Sequence, residues 1–463
     1  MIEPTPRYES TDAAAQPRPD AGPDERYTPS RERAGTALCL SGGGFRATLF
    51  HLGALRRLNE TGVLARLDTI SSVSGGSIMA AFLATGVRWP LSTQAPIPSD
   101  VWERDVAQPV RRFAARNLRT PAMIKRLLAP WDSSAGVRGL MQGYARALPP
   151  AATLASLPEH PRFVFCATDL CFGVNFVFER ARAGDYRLGY LSPPPADWDV
   201  ARAVAASSCF PPIFNPLPID VPAASFKRGR WETPAVPPEN VRLSDGGLYD
   251  NLGLEPVWKS HRVVLVSDGG SVFGSASDGG LLQRLQRYVD ILDHQAIALR
   301  KRWLISNFVD GVMTGAYWGI GSATSSFAAR GAGYSKQLAG EVIAAVRTDL
   351  DAFSEAEAAV LENHGYALTA SALTTHVPEL VTPGAPPPAP PHPAWMDEIA
   401  VRVALEGSWR RRLLGRKSGP TSSAPARRPQ AGKPVAPGAP ASPDPERAPA
   451  RRETPIGGSP PAP

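Results

Sequence analysis

The sequence predicts an α/β fold with a parallel central sheet, and three observations predict it. An apolar run at 36–40 ends in Ser41-Gly42-Gly43-Gly44 and leads into a helical pattern. A second run at 67–73 ends in Ser74-Gly75-Gly76 and leads into another. A third, 263–267, is short and continuously apolar, as suits a strand buried on both faces. Strand, glycine turn and helix in repeated order open a parallel sheet, because parallel neighbours need a crossover and its helix covers one face.

The elements follow in order. Leu49, Leu52, Leu55 and Leu58 keep one side of the first helix apolar up to a C-cap signal at Gly62. The second helix is expected to begin near Ser77. Residues 99–150 read as helical, with Trp102, Val106, Val110 and Phe113 at helical spacing. Strands are expected at 163–168 and 175–178 around a turn at Cys171-Phe172-Gly173. A helix at 201–207 is halted by Pro211 and Pro212. Residues 282–305 read as one long amphipathic helix, with Leu285, Tyr288, Leu292 and Leu299 on its apolar side.

Of the 463 residues, 49 are proline, concentrated at both ends. The expected organisation is a disordered extension at 1–34 and an α/β domain at 35–380, with core motifs at 36–260 and a helical part at 261–380. A Pro-rich linker at 381–395, an amphipathic helix at 396–415 and a disordered basic Pro/Ala tail at 416–463 would follow. The net charge is +7. From Arg410 onward there are eleven basic and three acidic residues, so the tail carries the excess and everything before it sums to about −1. That distribution argues against nucleic acid as a partner. Cys39, Cys166, Cys171 and Cys209 lack zinc-ligand spacing and read as small buried thiols of a reducing compartment. With no apolar leader before Arg33 and no run long enough to span a bilayer, the expected location is cytoplasmic, with peripheral membrane contact left open.

Three segments carry chemistry. In Ser72-Val73-Ser74-Gly75-Gly76, Ser74 sits at a strand-to-helix turn, where the helix N-terminus favours developing negative charge. Ser72 stands where the G-x-S-x-G elbow has its first glycine. The glycines at 42–44 allow several backbone N–H groups to converge, as an oxyanion needs, and Arg46 either holds the loop or adds positive potential. The same loop matches a dinucleotide fingerprint through Gly42, Gly44 and Ala47. That fingerprint wants an acid at the end of the second strand, however, and Asp68 lies at its beginning. Asp245-Gly246-Gly247 is by itself a turn. His51, His160, His261 and His294 are each poorly placed to serve a serine. A desolvated aspartate is a feasible base in their stead.

Taken in this order, Gly-Gly-Gly-x-Arg, Ser-x-Ser-Gly-Gly and Asp-Gly-Gly resemble the patatin-like phospholipases, in particular bacterial ones. The segments 165–170, 203–212, 285–305 and 363–367 fit the same resemblance, which covers about residues 36–375. It implies a three-layer α/β/α sandwich with a mainly parallel central sheet and a Ser–Asp dyad without histidine: Ser74 as nucleophile, Asp245 as base, and Gly42, Gly43, Gly44 and Arg46 about the oxyanion. It also implies hydrolysis of lipid acyl esters, of the phospholipase A or lysophospholipase type, through an acyl-enzyme. Acyl transfer by the same dyad and a catalytically silent membrane scaffold are the alternatives. No metal and no cofactor are expected, the partner is membrane lipid or another acyl lipid, and oligomeric state is left open. Two further expectations concern the surface. Trp395, Ile399, Trp409 and Leu413 share a helical face beside Arg410-Arg411-Arg412, interrupted by Arg402 and Glu406. It reads either as an interfacial helix, so that 395–463 strengthens vesicle binding, or as a terminal helix packed on the domain. Residues 311–327, with Tyr317 and Trp318, are read as a mobile aromatic lid.

Overall fold

The computed structural model describes residues 33–92, 95–128, 131–132, 134–211, 213–229, 241–270 and 280–410. The expectations for residues 1–32 and 411–463, including Leu413, lie outside the described residues, as does the side chain of Leu285.

A 10-stranded sheet forms the centre. Its parallel half consists of β1 (Thr36–Leu40), β2 (Thr69–Val73), β3 (Arg162–Asp169), β9 (Val263–Asp268) and β10 (Thr314–Gly319), in the order β10-β9-β1-β2-β3. Beyond β3 the sheet turns antiparallel through β4 (Val174–Phe178), β5 (Ala183–Asp185) and β6 (Gly189–Leu191). Strands β7 (Leu217–Pro218) and β8 (Arg242–Asp245) pair with each other, and β8 pairs antiparallel with the end of β3.

The two-residue period of a strand makes the layers legible in β1. Leu38 and Leu40 join the larger core beneath α1 (Gly44–Glu60) and α2 (Gly75–Gly86). Ala37 and Cys39 point the other way, into a smaller core with Val264, Val266, Leu254 and Leu304. Leu304 belongs to α9 (Leu281–Val309), so helices cover both faces.

The remaining helices frame the larger core. A short α3 (Ser99–Trp102) runs through a wider turn, Glu103–Ala107, into α4 (Gln108–Ala114). Then come α5 (Arg119–Leu128), α6 (Ala135–Ala145), α7 (Val200–Ser208), α8 (Gly247–Asp250), α10 (Lys336–Leu338), α11 (Glu355–His376) and α12 (Glu398–Ala404). Helix α11 begins with a capping box, Ser354 and Glu357 each bonding the other's backbone N–H. It crosses α1 so closely that a Cβ on Gly53 would sit 1.8 Å from the Glu362 carbonyl oxygen, and one on Gly365 1.9 Å from that of Phe50.

Several expectations change. The segment 311–327 is not a lid: β10 is an integral strand of the sheet, Trp318 is fully buried, and the Tyr317 hydroxyl donates to Asp268 Oδ2 at 2.7 Å. The apolar side read for α9 faces solvent at Tyr288, Leu292 and Leu299, while Leu304 is the residue that packs inward. The Pro-rich segment 381–395 is strapped to the domain rather than left as a spacer. His392 pairs with buried Glu362 at 2.8 Å, and Arg57 donates to the Pro386 carbonyl at 2.9 Å. Within the described part of the expected 396–415, residues 396–410, helix α12 covers Glu398–Ala404. Of the cysteines, Cys171 is exposed and the other three are buried. Among the described residues no helix is long and apolar enough to cross a membrane.

Candidate active site

The register of the sheet brings the two motifs together. Strand β2 ends with Val73 opposite Cys166 of β3, and β8 ends with Asp245 opposite Ala167, the next residue along. Because β4 occupies the other edge of β3 there, β2 and β8 meet end to end on one edge. Ser74 follows β2 at the point where β8 stops. Motifs about 170 residues apart in sequence are thus neighbours in space.

Ser74 precedes α2 with φ 49° and ψ −114°, a left-handed conformation that costs a β-carbon-bearing residue about 1–3 kcal/mol. Three contacts hold it there. The Ser74 N–H donates to Ser207 Oγ at 2.9 Å. A Cβ on Gly75 would lie 2.1 Å from the Gly44 carbonyl oxygen, and one on Gly76 2.2 Å from that of Leu40. Glycine at both places lets the start of α2 press against the 41–44 loop. Ser72 is buried, and its hydroxyl donates to the Val164 carbonyl at 3.1 Å, tying β2 to β3 just before the bend.

Asp245 is buried at the floor of the site. Its Oδ1 accepts the Gly247 N–H at 2.8 Å, and its Oδ2 is buried with no hydrogen-bond partner. Burial pushes the carboxyl up to about 7, against the lowering effects of the Gly247 N–H and the neighbouring Ser74 hydroxyl. The negative charge of Asp293, on α9, raises it further. Ser74 and Asp245 share a cavity of about 140 Å³ with Gly43, Gly44, Phe210, Ile213, Ile297 and Leu350 on its walls. None of the histidines lines it. His51 is buried between Ser267 Oγ at 2.8 Å and the Ser41 carbonyl at 2.9 Å, and desolvation drops it to about 4. It therefore braces the glycine loop as a neutral ring.

The loop residues divide. Gly43 (φ 137°) and Gly44 (φ 56°) adopt conformations that glycine tolerates best, and their N–H groups have no acceptor among the described residues. The Gly42 N–H is already committed to the Asn251 carbonyl at 3.0 Å, so of the three expected donors Gly42 is not available. The Arg46 guanidinium is buried and donates to the carbonyls of Gly269, Ala344 and Val346 at 2.8–3.2 Å. Of the two parts foreseen for Arg46 it takes the loop-holding one, and it does not line the cavity.

Two residues of the site escaped the sequence reading. Ser207 joins both halves: its Oγ accepts from Ser74 N–H and donates to the Cys166 carbonyl at 2.6 Å, and its carbonyl accepts from Gly246 N–H at 3.2 Å. The Ser207-Ser208 pair closing the small apolar residues of α7 was the available signal. Asp293 lines the cavity from α9 and carries no local signature at all. Among the described residues there is no group of three or more His, Cys, Asp or Glu side chains arranged for a metal.

The family model described as patatin-like phospholipase matches residues 38–258. Among solved structures, human GIVD cytosolic phospholipase A2 aligns at 11% identity and a TM-score of 0.42, over 84% of this chain and 64% of its own. VipD from Legionella pneumophila aligns at 14% identity and a TM-score of 0.32, over 75% of this chain and 68% of its own. The chain thus spans a little under two thirds of the human enzyme's length. None of the curated proteins matches it. The matched segment contains the glycine loop, Ser74, Ser207 and Asp245, and over residues 38–258 the chain is similar to the patatin-like phospholipases.

Proposed function

We propose that the protein hydrolyses lipid acyl esters, of the phospholipase A or lysophospholipase type, through a Ser74–Asp245 dyad. One observation carries the reading: the Ser74 hydroxyl stands beside a buried carboxylate whose Oδ2 has no other partner. Ser74 Oγ attacks the ester carbonyl carbon as its proton passes to Asp245. The carbonyl oxygen becomes an oxyanion facing the free N–H groups of Gly43 and Gly44 at the start of α1, where the helix dipole adds to their effect. Collapse of the tetrahedral intermediate expels the alcohol, which takes the proton from Asp245 and leaves an acyl-Ser74. Water, deprotonated by Asp245, then attacks the acyl carbon. As the second tetrahedral intermediate collapses, Asp245 returns that proton to the departing Ser74 Oγ, releasing the fatty acid and free Ser74. A pKa raised to about 7 suits this, because such a group is ionised at neutral pH and still basic enough to take a hydroxyl proton.

A fluorophosphonate probe tests the dyad, since it captures an activated serine. The wild-type protein is expected to label and Ser74→Ala not to. Asp245→Asn should slow labelling by on the order of 10³-fold or more, as removal of a general base does. Undiminished labelling of Ser74→Ala would overturn the assignment. Supplying an alcohol acceptor with the substrate separates hydrolysis, which yields free fatty acid, from acyl transfer, which yields a new ester.

A further inference from the structure

Helix α5 carries an apolar face that nothing among the described residues covers. Ile124, Leu127 and Leu128, with Trp131 just beyond the helix, recur at the i, i+3, i+4, i+7 spacing of one helical side. They are 48%, 76%, 73% and 83% exposed, respectively, whereas Arg119 and Ala122 are the buried residues of the helix. In a water-soluble setting that arrangement is inverted, and contiguous exposed apolar side chains mark a contact surface.

Its position ties it to the cavity that holds Ser74. Arg126 Nη1 donates to the Ile213 carbonyl at 3.3 Å, and the N–H groups of Leu118 and Arg119 donate to the Leu350 carbonyl at 2.9 and 3.3 Å. Ile213 and Leu350 both line the cavity, as does Phe210, which is itself exposed. The helix that carries the apolar face is therefore bonded to two residues of the cavity wall.

The charge around it indicates what it meets. Residues 108–148, from α4 to just beyond α6, hold eight basic side chains and one acidic one. Arg111 pairs with Glu103 and Glu362, Arg119 with Asp349 and Arg138 with Asp132, and the other five, Arg112, Arg116, Lys125, Arg126 and Arg146, are exposed. The chain before Arg410 is otherwise slightly acidic, so this is a local concentration. A solvent-facing apolar stripe set among cations is the composition of an element that lies in the headgroup region of an anionic bilayer.

We propose that α5 and Trp131 form a docking face for an anionic lipid bilayer, which delivers lipid to the adjoining cavity. The proposal rests on reading that cavity as an acyl-ester site. It assigns the membrane contact to α5 within the domain, not to the C-terminal tail.

Sedimentation with vesicles of phosphatidylcholine, with and without phosphatidylglycerol, tests it in the full-length chain. Carrying Ser74→Ala throughout keeps lipid turnover out of the binding measurement. Leu127→Ser/Leu128→Ser is expected to weaken binding to the anionic vesicles by about tenfold or more. Lys125→Glu should remove the preference for phosphatidylglycerol. In chains with Ser74 intact, both variants should hydrolyse a soluble short-chain ester like the wild type, which shows that the fold and the site survive. Unchanged vesicle binding in both variants would overturn the proposal. So would a wild-type dimer, seen by light scattering, that Leu127→Ser/Leu128→Ser dissociates with vesicle binding intact, for then a second copy covers the face. Failure of the dyad itself would appear separately, as loss of fluorophosphonate labelling with vesicle binding retained.

Discussion

At the scale of single residues, the proposed dyad makes the ionisation of Asp245 set when the site can work. A base acts as carboxylate, and burial has raised this carboxyl to about 7 from the ordinary range near 3.8. Activity on a soluble ester should therefore rise with pH and level off above about 7, falling roughly tenfold per unit well below that. Asp293 contributes to the elevation through its negative charge. Asp293→Asn removes that charge, so the acidic limb of kcat/KM should move to lower pH while the plateau changes little. A limb that stays in place would show that desolvation alone sets the value. That Gly43, Gly44, Ser74 and Asp245 would come together was legible in the sequence, because the proposed elbow and glycine loop need particular residues at particular spacings. The division of labour among them was not. Gly42 spends its N–H on Asn251, a residue that reaches the loop only through the turn after α8. Ser207 and Asp293 act across folded distances that leave no local pattern.

At the scale of elements, the strand and helix order of residues 36–86 was readable because period-two and helical periodicities coincide there with glycine turns. The closeness of α1 to α11 was not readable, since each helix shows only its own face. The crossing depends on Gly53 and Gly365, where a Cβ would fall inside van der Waals contact with opposing backbone carbonyls. Backbone cannot yield as a side-chain tip can, so Gly53→Ala and Gly365→Ala should each cost at least about 1–3 kcal/mol, the usual range for overpacking a core. Because α1 begins at Gly44, a displaced helix would also move the oxyanion donors. Thermal denaturation should show a lower Tm for both variants, with activity on a soluble ester reduced as well. A wild-type Tm would mean that the helices separate without penalty. The outward apolar faces of α5 and α9 illustrate the same limit: periodicity identifies a face, and only the fold decides whether it is covered.

At the scale of the whole molecule, the boundary of the folded domain lies further along the chain than composition suggests. Proline and alanine between 381 and 395 look like a spacer, yet specific polar contacts pin them: the backbone of His392 exchanges hydrogen bonds with the Asn363 side chain, both at 2.8 Å. Beyond it, Val401 and Leu405 are buried against the domain, and the Tyr334 hydroxyl donates to the Trp395 carbonyl at 2.8 Å. Buried Arg347, paired with Asp351 and Glu357, also donates from its backbone to the Ser408 carbonyl at 3.1 Å. Ending the chain after residue 394 would expose the surface under two apolar side chains, each worth about 1.5–3 kcal/mol when fully buried, and leave that Arg347 N–H without its acceptor. Ending it after residue 410 would remove none of these contacts. The shorter chain is expected to melt several degrees below the full-length protein and the longer one at the same temperature, as calorimetry would show. Equal melting of all three would mean that residues 395–410 add nothing to the fold. A vesicle-binding loss seen on ending at 394 therefore cannot be assigned to the basic tail, because the domain is damaged with it. The 410 boundary isolates the tail, and any loss of anionic-vesicle binding there should shrink as salt is raised, since it would come from charge exposed to solvent.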